Sequence, residues 1–235
     1  MTPATLAMYV DGAWVASESG ATFDAVSPAT GETFATLPKG TRADAGRAIA
    51  AVEKLVAALA REIHLGDPSD PATTMGPLNN EAQATKMDRH VGDAVARGAR
   101  LVAGGRRAAN RPTALFYEPT ILDDVTGAME IAREETFGPV APITVIDDDA
   151  EALRIVNDSD YGLLAGVFTR DLARGLRSAE AVRTGWVNIN EGTNYWESHL
   201  PFGGGAGTDS GVGRVGGRFS MERLTELKTI VLNLG

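Results

Sequence analysis

The sequence predicts an α/β fold: a mainly parallel sheet with flanking helices, plus a small amino-terminal β unit. Beyond Pro139, apolar runs alternate with segments of helical periodicity, an order that favours right-handed βαβ units on a parallel sheet. In the first forty residues, short apolar runs are separated only by turn-forming residues, which favours antiparallel strands. A composition of 43% hydrophobic and 23% charged residues is typical of a globular protein with a sizeable core.

The amino-terminal β unit is predicted from its turns. Asp11-Gly12 favours the positive φ angles of a tight two-residue hairpin turn. Proline, threonine and glycine at 27–31 indicate a second turn. The apolar runs beside these turns predict four short strands, at 8–10, 13–15, 23–26 and 32–37.

Helices are predicted next. Thr41 and Asp44 form a capping pattern, and the apolar residues that follow recur at helical spacing. A connection rich in proline and aspartate, 67–78, precedes a second helix that begins after the N-cap Asn80 and ends near Arg97. Further strands are predicted at 101–103, 115–122, 140–146, 163–168, 185–189 and 229–234, and further helices at 150–157, 172–182 and 221–227.

Charge and composition exclude several classes of function. A net charge of −9 argues against a nucleic-acid footprint or an anionic-membrane surface. The first sixteen residues lack the basic start and apolar segment of a signal peptide, so we expect a cytoplasmic protein. Isolated histidines at 64, 90 and 199 predict no metal site. The absence of cysteine excludes disulfides, zinc–thiolate sites and thiol catalysis by this chain.

The stretch 133–139 combines an arginine, two carboxylates, an aromatic ring and a Gly-Pro turn just before an apolar run. One interpretation is a ligand site, because a carboxylate can accept hydrogen bonds from both hydroxyls of a ribose and a ring can press against a flat heterocycle. The other is a solvated helix end, with Gly138 and Pro139 as the stop signal. The residues alone leave both open.

Two glycine-rich segments invite different interpretations. Residues 211–216 formally match the dinucleotide fingerprint G-x-G-x-x-G, but a long glycine-rich loop precedes them where that fingerprint requires a strand. Pro201, Phe202 and the three glycines after them fit a loop that runs close to another backbone or a ligand, with Phe202 facing whatever the loop lines.

Several ordered segments resemble the NAD(P)-dependent aldehyde dehydrogenase superfamily. Residues 134–139 are similar to its Glu-Glu-x-Phe-Gly-Pro signature, and the amino-terminal opening and the glycine-rich loop also match. The segments that carry the resemblance are 9–15, 27–32, 65–68, 75–78, 117–120, 134–139, 201–204 and 210–214. The resemblance implies a partial fold of that family.

Inside the first predicted helix, the region of the family that the sequence resembles changes. Residues up to Ala51 resemble the family's first amino-terminal helix, whereas those from Val52 resemble the helix that follows its catalytic cysteine. We therefore expect an internally truncated chain: 1–51 as a remnant of the cofactor-binding domain, 52–227 as the carboxy-terminal part of the catalytic domain, and 228–235 as an oligomerisation strand.

The resemblance implies site residues. Glu135 would accept hydrogen bonds from the nicotinamide ribose of NAD or NADP, and Phe137 would contact the nicotinamide end. The substrate tunnel would be lined by Asn194, Tyr195, Trp196 and Phe202. This apolar, aromatic mouth with one amide favours an aromatic or medium-chain aldehyde. The alternative is that Tyr195 and Trp196 are partly buried packing residues.

Family chemistry oxidises an aldehyde to a carboxylic acid with NAD(P)+ through a cysteine thiolate, a glutamate base and an asparagine that helps hold the oxyanion. None of these three maps onto this sequence, so the chain is predicted to be inactive alone. The alternative is a non-catalytic interaction or assembly partner, as a homo-oligomer or with a full-length relative.

Overall fold

A computed structural model describes residues 3–27, 30–205, 207–211 and 213–233. The predicted turn at 27–31 and the glycine motif at 211–216 fall partly outside these residues. The strands are β1 Ala4–Thr5, β2 Met8–Val10, β3 Ala13–Val15, β4 Thr22–Val26, β5 Thr33–Pro38, β6 Arg100–Ala103, β7 Thr120–Asp123, β8 Val140–Pro142, β9 Leu164–Val167 and β10 Trp186–Ile189. The helices are α1 Arg42–Arg61, α2 Glu81–Ala96, α3 Asp149–Asn157, α4 Leu172–Ala181 and α5 Arg218–Leu224, and a 3-10 helix covers Glu130–Ala132.

The chain divides into two compact units. The first contains Met1–Asp123 and Phe137–Ile143, and the second contains Asp124–Thr136 and Thr144–Gly235. The expected join at 51/52 lies inside α1, within the first unit, and the helix continues through it without a break.

The amino-terminal hairpin forms as predicted. Asp11 and Gly12 take φ angles of +51° and +76°, and β2 pairs with β3 in antiparallel register. β5 then pairs with β4 in antiparallel and with β1 in parallel orientation.

The capping pattern of α1 is also confirmed. The Thr41 hydroxyl oxygen accepts a hydrogen bond from the Asp44 backbone N–H, and the Asp44 carboxylate accepts one from the Thr41 N–H at 2.8 Å. The same carboxylate accepts hydrogen bonds from the Ser17 hydroxyl at 2.7 Å and the Glu18 N–H at 3.0 Å. Asp44 therefore ties the start of α1 to the loop after β3.

The rest of the first unit is organised by α2 and a small mixed sheet. Asn80 caps α2 by accepting the Gln83 N–H, and the helix buries one face around Met87 and Val91. β7 lies between β6, in antiparallel orientation, and β8, in parallel orientation. All four residues of β7 are buried, so this strand forms part of the core.

The second unit contains a βαβ arrangement. β9 and β10 pair in parallel, and α4, which connects them, packs against both. Arg174 of α4 forms two hydrogen bonds with the Asp149 carboxylate of α3, one of 2.8 Å. The α/β class is confirmed, and the described strands lie in four small sheets.

The strand predicted at 140–146 is shorter in the structure. β8 follows β7 in parallel register only to Pro142, and the Ile143 N–H donates to the Leu122 oxygen. β7 ends at Asp123, so the later residues have no strand beside them to extend the ladder. The prediction for 115–122 was likewise too long, because Pro119, which has no N–H to donate, precedes the start of β7.

The carboxy-terminal segment 228–233 forms neither helix nor strand, and Leu234 lies outside the described residues. A strand that pairs with another subunit has no partner in a single chain, so the oligomerisation strand stays a prediction. Among the described residues, no helix is both long and apolar enough to cross a lipid bilayer.

Candidate functional site

The signature stretch begins where the 3-10 helix ends. The Glu134 N–H donates to the Glu130 oxygen at 2.8 Å, which continues the turn beyond Ala132. The Arg133 guanidinium donates through Nε to the Gly127 oxygen at 2.6 Å. The side chains of Glu134 and Glu135 are exposed. Glu135 thus lies at the surface of the second unit, where its carboxylate is accessible to solvent.

Phe137 belongs to the first unit and has an unusual backbone. Its φ is +49°, a left-handed conformation that is uncommon for a residue with a bulky side chain. The Gln83 side-chain amide donates to its carbonyl at 2.7 Å, which helps to hold this conformation. The ring is 78% exposed, so the backbone presents an aromatic face to solvent. A Cβ on the next residue, Gly138, would lie 2.5 Å from the buried Met87 Sδ, so the chain approaches α2 closely there.

Three aromatic side chains meet in the second unit. The Phe202 ring centroid lies 6.0 Å from that of Trp186 and 5.7 Å from that of Trp196, both in tilted arrangements. Such pairs stabilise by about 0.5–1.5 kcal/mol beyond the burial of their area. Trp196 remains half-exposed, so the group is a partly open aromatic surface. Of the predicted substrate residues, the structure therefore brings Trp196 and Phe202 together.

A buried asparagine holds the loop that carries the other two predicted residues. Asn188, on β10, accepts a hydrogen bond from Trp186 Nε1 at 2.6 Å. Its amide donates to the Gly192 oxygen at 2.8 Å and to the Tyr195 oxygen at 3.1 Å. Asn188 thereby fixes the path of the backbone from β10 to Tyr195.

The side chains of Asn194 and Tyr195 are exposed. The Tyr195 hydroxyl donates to the Glu197 carboxylate at 2.5 Å. This hydrogen bond, reinforced by the negative charge of Glu197, raises the pKa of the Tyr195 phenol above its ordinary value. Tyr195 is therefore a partly exposed phenol that keeps its proton at neutral pH, and both its predicted substrate role and the packing alternative stay open.

In the glycine-rich loop, backbone segments of the chain lie very close to one another. A Cβ on Gly203 would lie 2.1 Å from the Gly213 oxygen, and one on Gly216 would lie 2.1 Å from the Leu200 oxygen. The Arg214 guanidinium donates to the Gly185 oxygen at 2.9 Å and to the Gly203 oxygen. These glycines are required by backbone packing, which agrees with rejection of the dinucleotide fingerprint.

The described residues do not fit a complete dinucleotide. Glu135 in the second unit and Phe137 in the first unit each have an exposed side chain, and their assignment to the cofactor stays a prediction. In the glycine-rich loop, described backbone atoms of the chain itself occupy the space that a phosphate cradle would need. The described part of the glycine-rich loop therefore does not form a phosphate cradle.

Sequence reasoning missed Trp186 and Asn188. Both lie on β10, two residues apart, and so on the same face of the strand. The available signal was Asn188, a polar residue in an otherwise apolar strand. A buried amide is stable only where it forms hydrogen bonds, for example with backbone carbonyls. The contact of Trp186 with Phe202 depends on the path of the glycine-rich loop, which the local pattern does not fix.

Comparison with known proteins places the chain among relatives. The model of the aldehyde dehydrogenase family matches residues 50–230. A probable succinate-semialdehyde dehydrogenase [NADP(+)] of Sinorhizobium fredii is 42% identical over 168 residues, which cover 72% of this chain and 33% of that protein. The vanillin dehydrogenase of Pseudomonas fluorescens is 39% identical over 180 residues, 77% of this chain and 36% of that protein.

Solved structures agree with the sequence relatives. The succinate-semialdehyde dehydrogenase of Burkholderia pseudomallei superposes with a TM-score of 0.70 at 39% identity, over 75% of this chain and 36% of that one. The Mycobacterium tuberculosis aldehyde dehydrogenase complexed with NAD+ gives 0.72 at 37% identity, over 83% and 38%. The chain spans about a third of the length of the relatives it matches. It belongs to the aldehyde dehydrogenase family.

Proposed function

We propose that this chain is a non-catalytic member of the aldehyde dehydrogenase family. The observation that carries the proposal is the absence of cysteine from all 235 residues. The family reaction, NAD(P)+-dependent oxidation of an aldehyde to a carboxylic acid, begins with attack by a thiolate. Serine is a poor replacement, because an alcohol is far less ionised than a thiol and needs a neighbouring base.

Cofactor binding is proposed to be lost as well. Glu135 and Phe137 retain the residue types that would meet the nicotinamide ribose and ring, but these contacts address only a small part of the cofactor. Binding free energy from one end must also offset the loss of translational and rotational freedom of the whole molecule. We expect no saturable binding of NAD+ or NADP+ below roughly 1 mM.

The direct test is an assay of cofactor reduction. The purified chain is incubated with NAD+ or NADP+ and a panel of aliphatic and aromatic aldehydes, beside an active full-length relative. We expect no increase in NAD(P)H absorbance above the buffer control. Turnover that survives treatment with a thiol-blocking reagent would overturn the proposal, because such treatment inactivates a contaminating cysteine enzyme.

The aromatic mouth is proposed to retain weak affinity for aldehydes. Trp196, Tyr195 and Asn194 are accessible, and the Phe202 ring packs against Trp196 with a centroid distance of 5.7 Å. The surface offers flat apolar area with a phenol and an amide at its rim, which suits an aromatic or medium-chain aldehyde.

Ligand-observed NMR with an aromatic aldehyde tests this proposal. Saturation transfer to the aldehyde should fall strongly in Trp196→Ala. The matched control is Trp14→Ala, which removes an exposed indole from the first unit and should leave the transfer unchanged. Equal loss in both variants, or none in either, would contradict the assignment of Trp196 to an aldehyde surface.

A second candidate function is assembly with a full-length relative. The supporting observation is a run of exposed apolar side chains near the carboxy terminus, including Leu227, Ile230, Val231 and Leu232. Apolar surface of this kind favours association. Light scattering of the chain mixed with a full-length relative should show a hetero-complex, and scattering equal to the sum of the separate components would count against it.

We also propose a cytoplasmic location, which cell fractionation tests.

A further inference from the structure

The second unit contains an open cleft at the ends of its two parallel strands. Val167 and Ile189, the last residues of β9 and β10, are paired in register, and the cleft lies just beyond them. In sheets of parallel strands, ligands bind outside this carboxyl edge. We call it the β9–β10 cleft. It has a volume of about 450 Å³ and is lined by Phe168, Thr169, Arg170, Leu172 and Asn190.

Phe168 gives the β9–β10 cleft a flat apolar surface. Its ring is 72% exposed, and Leu172, 67% exposed, adds further apolar area. Gly166, two residues before Phe168, leaves room for the edge of the ring, because a Cβ there would lie 3.5 Å from Phe168 Cε2. A large apolar ring in contact with water is unfavourable, and a flat ligand stacked on it would remove that contact.

Asn190 is held in one orientation at the same edge. Its N–H donates to the Val167 oxygen at 2.8 Å, and its Oδ1 accepts the Thr169 N–H at 2.8 Å. A backbone N–H can bond only to the oxygen of the amide, so this bond assigns the two ends of the side chain. Within the described part of the chain, Nδ2 has no acceptor. Asn190 is therefore a preorganised donor for a ligand.

Arg170 supplies a positive charge to the β9–β10 cleft. Its side chain is exposed, and among the described residues its guanidinium forms no hydrogen bond or ion pair. The neighbouring Asp171 is engaged elsewhere, because its carboxylate accepts the Arg174 N–H at 3.0 Å as the N-cap of α4. A guanidinium with free N–H groups binds a carboxylate through two parallel hydrogen bonds.

We propose that the β9–β10 cleft binds a flat aromatic carboxylate. The ring lies against Phe168 and Leu172, and the carboxylate accepts hydrogen bonds from the Arg170 guanidinium and Asn190 Nδ2. The five lining residues include no acidic side chain, so an aromatic amine would meet a like charge and no ion-pair partner. The charge of the cleft thus selects an anion over a cation.

The size of the cleft sets the expected strength of binding. A volume of about 450 Å³ lies within the range of sites for small molecules and accommodates one or two fused rings. The cleft is open, so a ligand keeps part of its surface in water. We therefore expect a Kd on the order of 1 mM for a single-ring acid.

Ligand-observed NMR with the full chain tests the ligand class. Saturation transfer to benzoate should be clear, whereas benzamide has the same ring without the charge, and acetate has the charge without the ring. Both should give signals at least about fivefold weaker at equal concentration. Equal transfer to benzoate and benzamide would overturn the proposal, because no ion pair with Arg170 would then be involved.

Substitutions test the residues. Arg170→Gln should weaken benzoate binding about tenfold and leave the weak benzamide signal unchanged. The matched control Arg177→Gln removes another exposed arginine, on α4, and should bind benzoate as before. Asn190→Asp keeps an oxygen that can accept the Thr169 N–H but replaces the donor with a negative charge, so benzoate binding should be lost. Circular dichroism and thermal melting establish that all three variants fold.

Nitrogen–proton correlation spectra locate the ligand. The Asn190 Nδ2 protons, identified by their disappearance in Asn190→Asp, should shift as benzoate is added. Shifts at Tyr195 and Trp196 without a shift at Asn190 would place benzoate in the aromatic mouth and overturn the proposal. Equal loss of binding in Arg170→Gln and Arg177→Gln would assign it to general charge attraction and would also contradict it. None of these readouts involves turnover or an aldehyde, so the inference and the proposed function can fail separately.

Discussion

Individual residues show how burial and hydrogen bonding set the response of this chain to pH. Tyr117 is almost completely buried, and burial, followed by the negative charge of Asp88, raises the pKa of its phenol to about 12. Asp44 shows the opposite effect. The Glu18 N–H, then the Ser17 hydroxyl and other donors, lower the pKa of its carboxyl far below the ordinary value.

Tyr117 should weaken the fold at high pH. The unfolded chain releases the phenol proton near pH 10, whereas the folded chain holds it to about pH 12, so folding stability is full below the first value and falls between the two. The expected loss is roughly 2–3 kcal/mol in the free energy of unfolding, at about 1.4 kcal/mol for each pKa unit. Urea unfolding from pH 9 upward, with Tyr117→Phe as comparison, measures it. A slope that is equally steep in the variant would contradict the assignment.

Asp44 should contribute to the loss of folding stability at acid pH. Because its folded pKa is depressed, its contribution is present above the unfolded pKa near 4 and is lost as the pH falls below that value. We expect Asp44→Asn to be less stable at neutral pH and to show a shallower decline between about pH 5 and pH 3. The exposed Glu180→Gln is the control in the same urea titrations. An unchanged acid slope in Asp44→Asn would count against this role.

Sequence reasoning succeeded for residues whose partners are near in the chain. Thr41 and Asp44 cap α1, and Asn80 caps α2, as their spacing predicts. The bonds from Asp44 to the loop after β3 were not predictable, because they join residues 26 and 27 positions apart. The same limit applies to Phe202, whose aromatic neighbours come from β10 and from the loop after it.

Elements were predicted where periodicity alone determines them. α2, α3 and α4 lie within two residues of their expected bounds, and the hairpin of β2 and β3 agrees with its turn signal. Strand lengths were less predictable, because a strand extends only as far as its neighbour does. The end of β7 at Asp123 shortens β8, and the apolar run beyond Pro142 gives no indication of this.

The helical glycines provide a test of packing at the scale of elements. A Cβ on Gly92, exposed in α2, would have no heavy atom within 4 Å, so Gly92→Ala should stabilise the protein by about 0.5–1 kcal/mol. Gly175 is buried in α4, where a Cβ would meet Ile189 Cγ2 at 3.1 Å and Thr169 Cγ2 at 3.2 Å. Overpacking there should offset the gain in helix propensity, and Gly175→Ala should be destabilised. Thermal melting of both variants measures their stabilities, with Gly92→Ala expected to melt at the higher temperature. A higher melting temperature for Gly175→Ala would contradict the prediction.

At the scale of the whole molecule, the chain keeps family features without the family's nucleophile. The match covers residues 50–230, but only about a third of each relative. The signature residues and the glycine-rich loop could be recognised from the sequence. The four small sheets and the exposed apolar face of α1 could not be predicted, because they depend on which strands pair and which helices pack together.

The most direct test of the central claim follows the hydride itself. An aldehyde carrying deuterium on its carbonyl carbon is incubated with the purified chain and NAD+ or NADP+, and the nicotinamide product is analysed by mass spectrometry. Without a thiolate, no tetrahedral adduct forms from which the deuteride can leave, so we predict no deuterium in the cofactor beyond the protein-free control. Deuterated NADH or NADPH that accumulates in proportion to chain concentration would contradict the account.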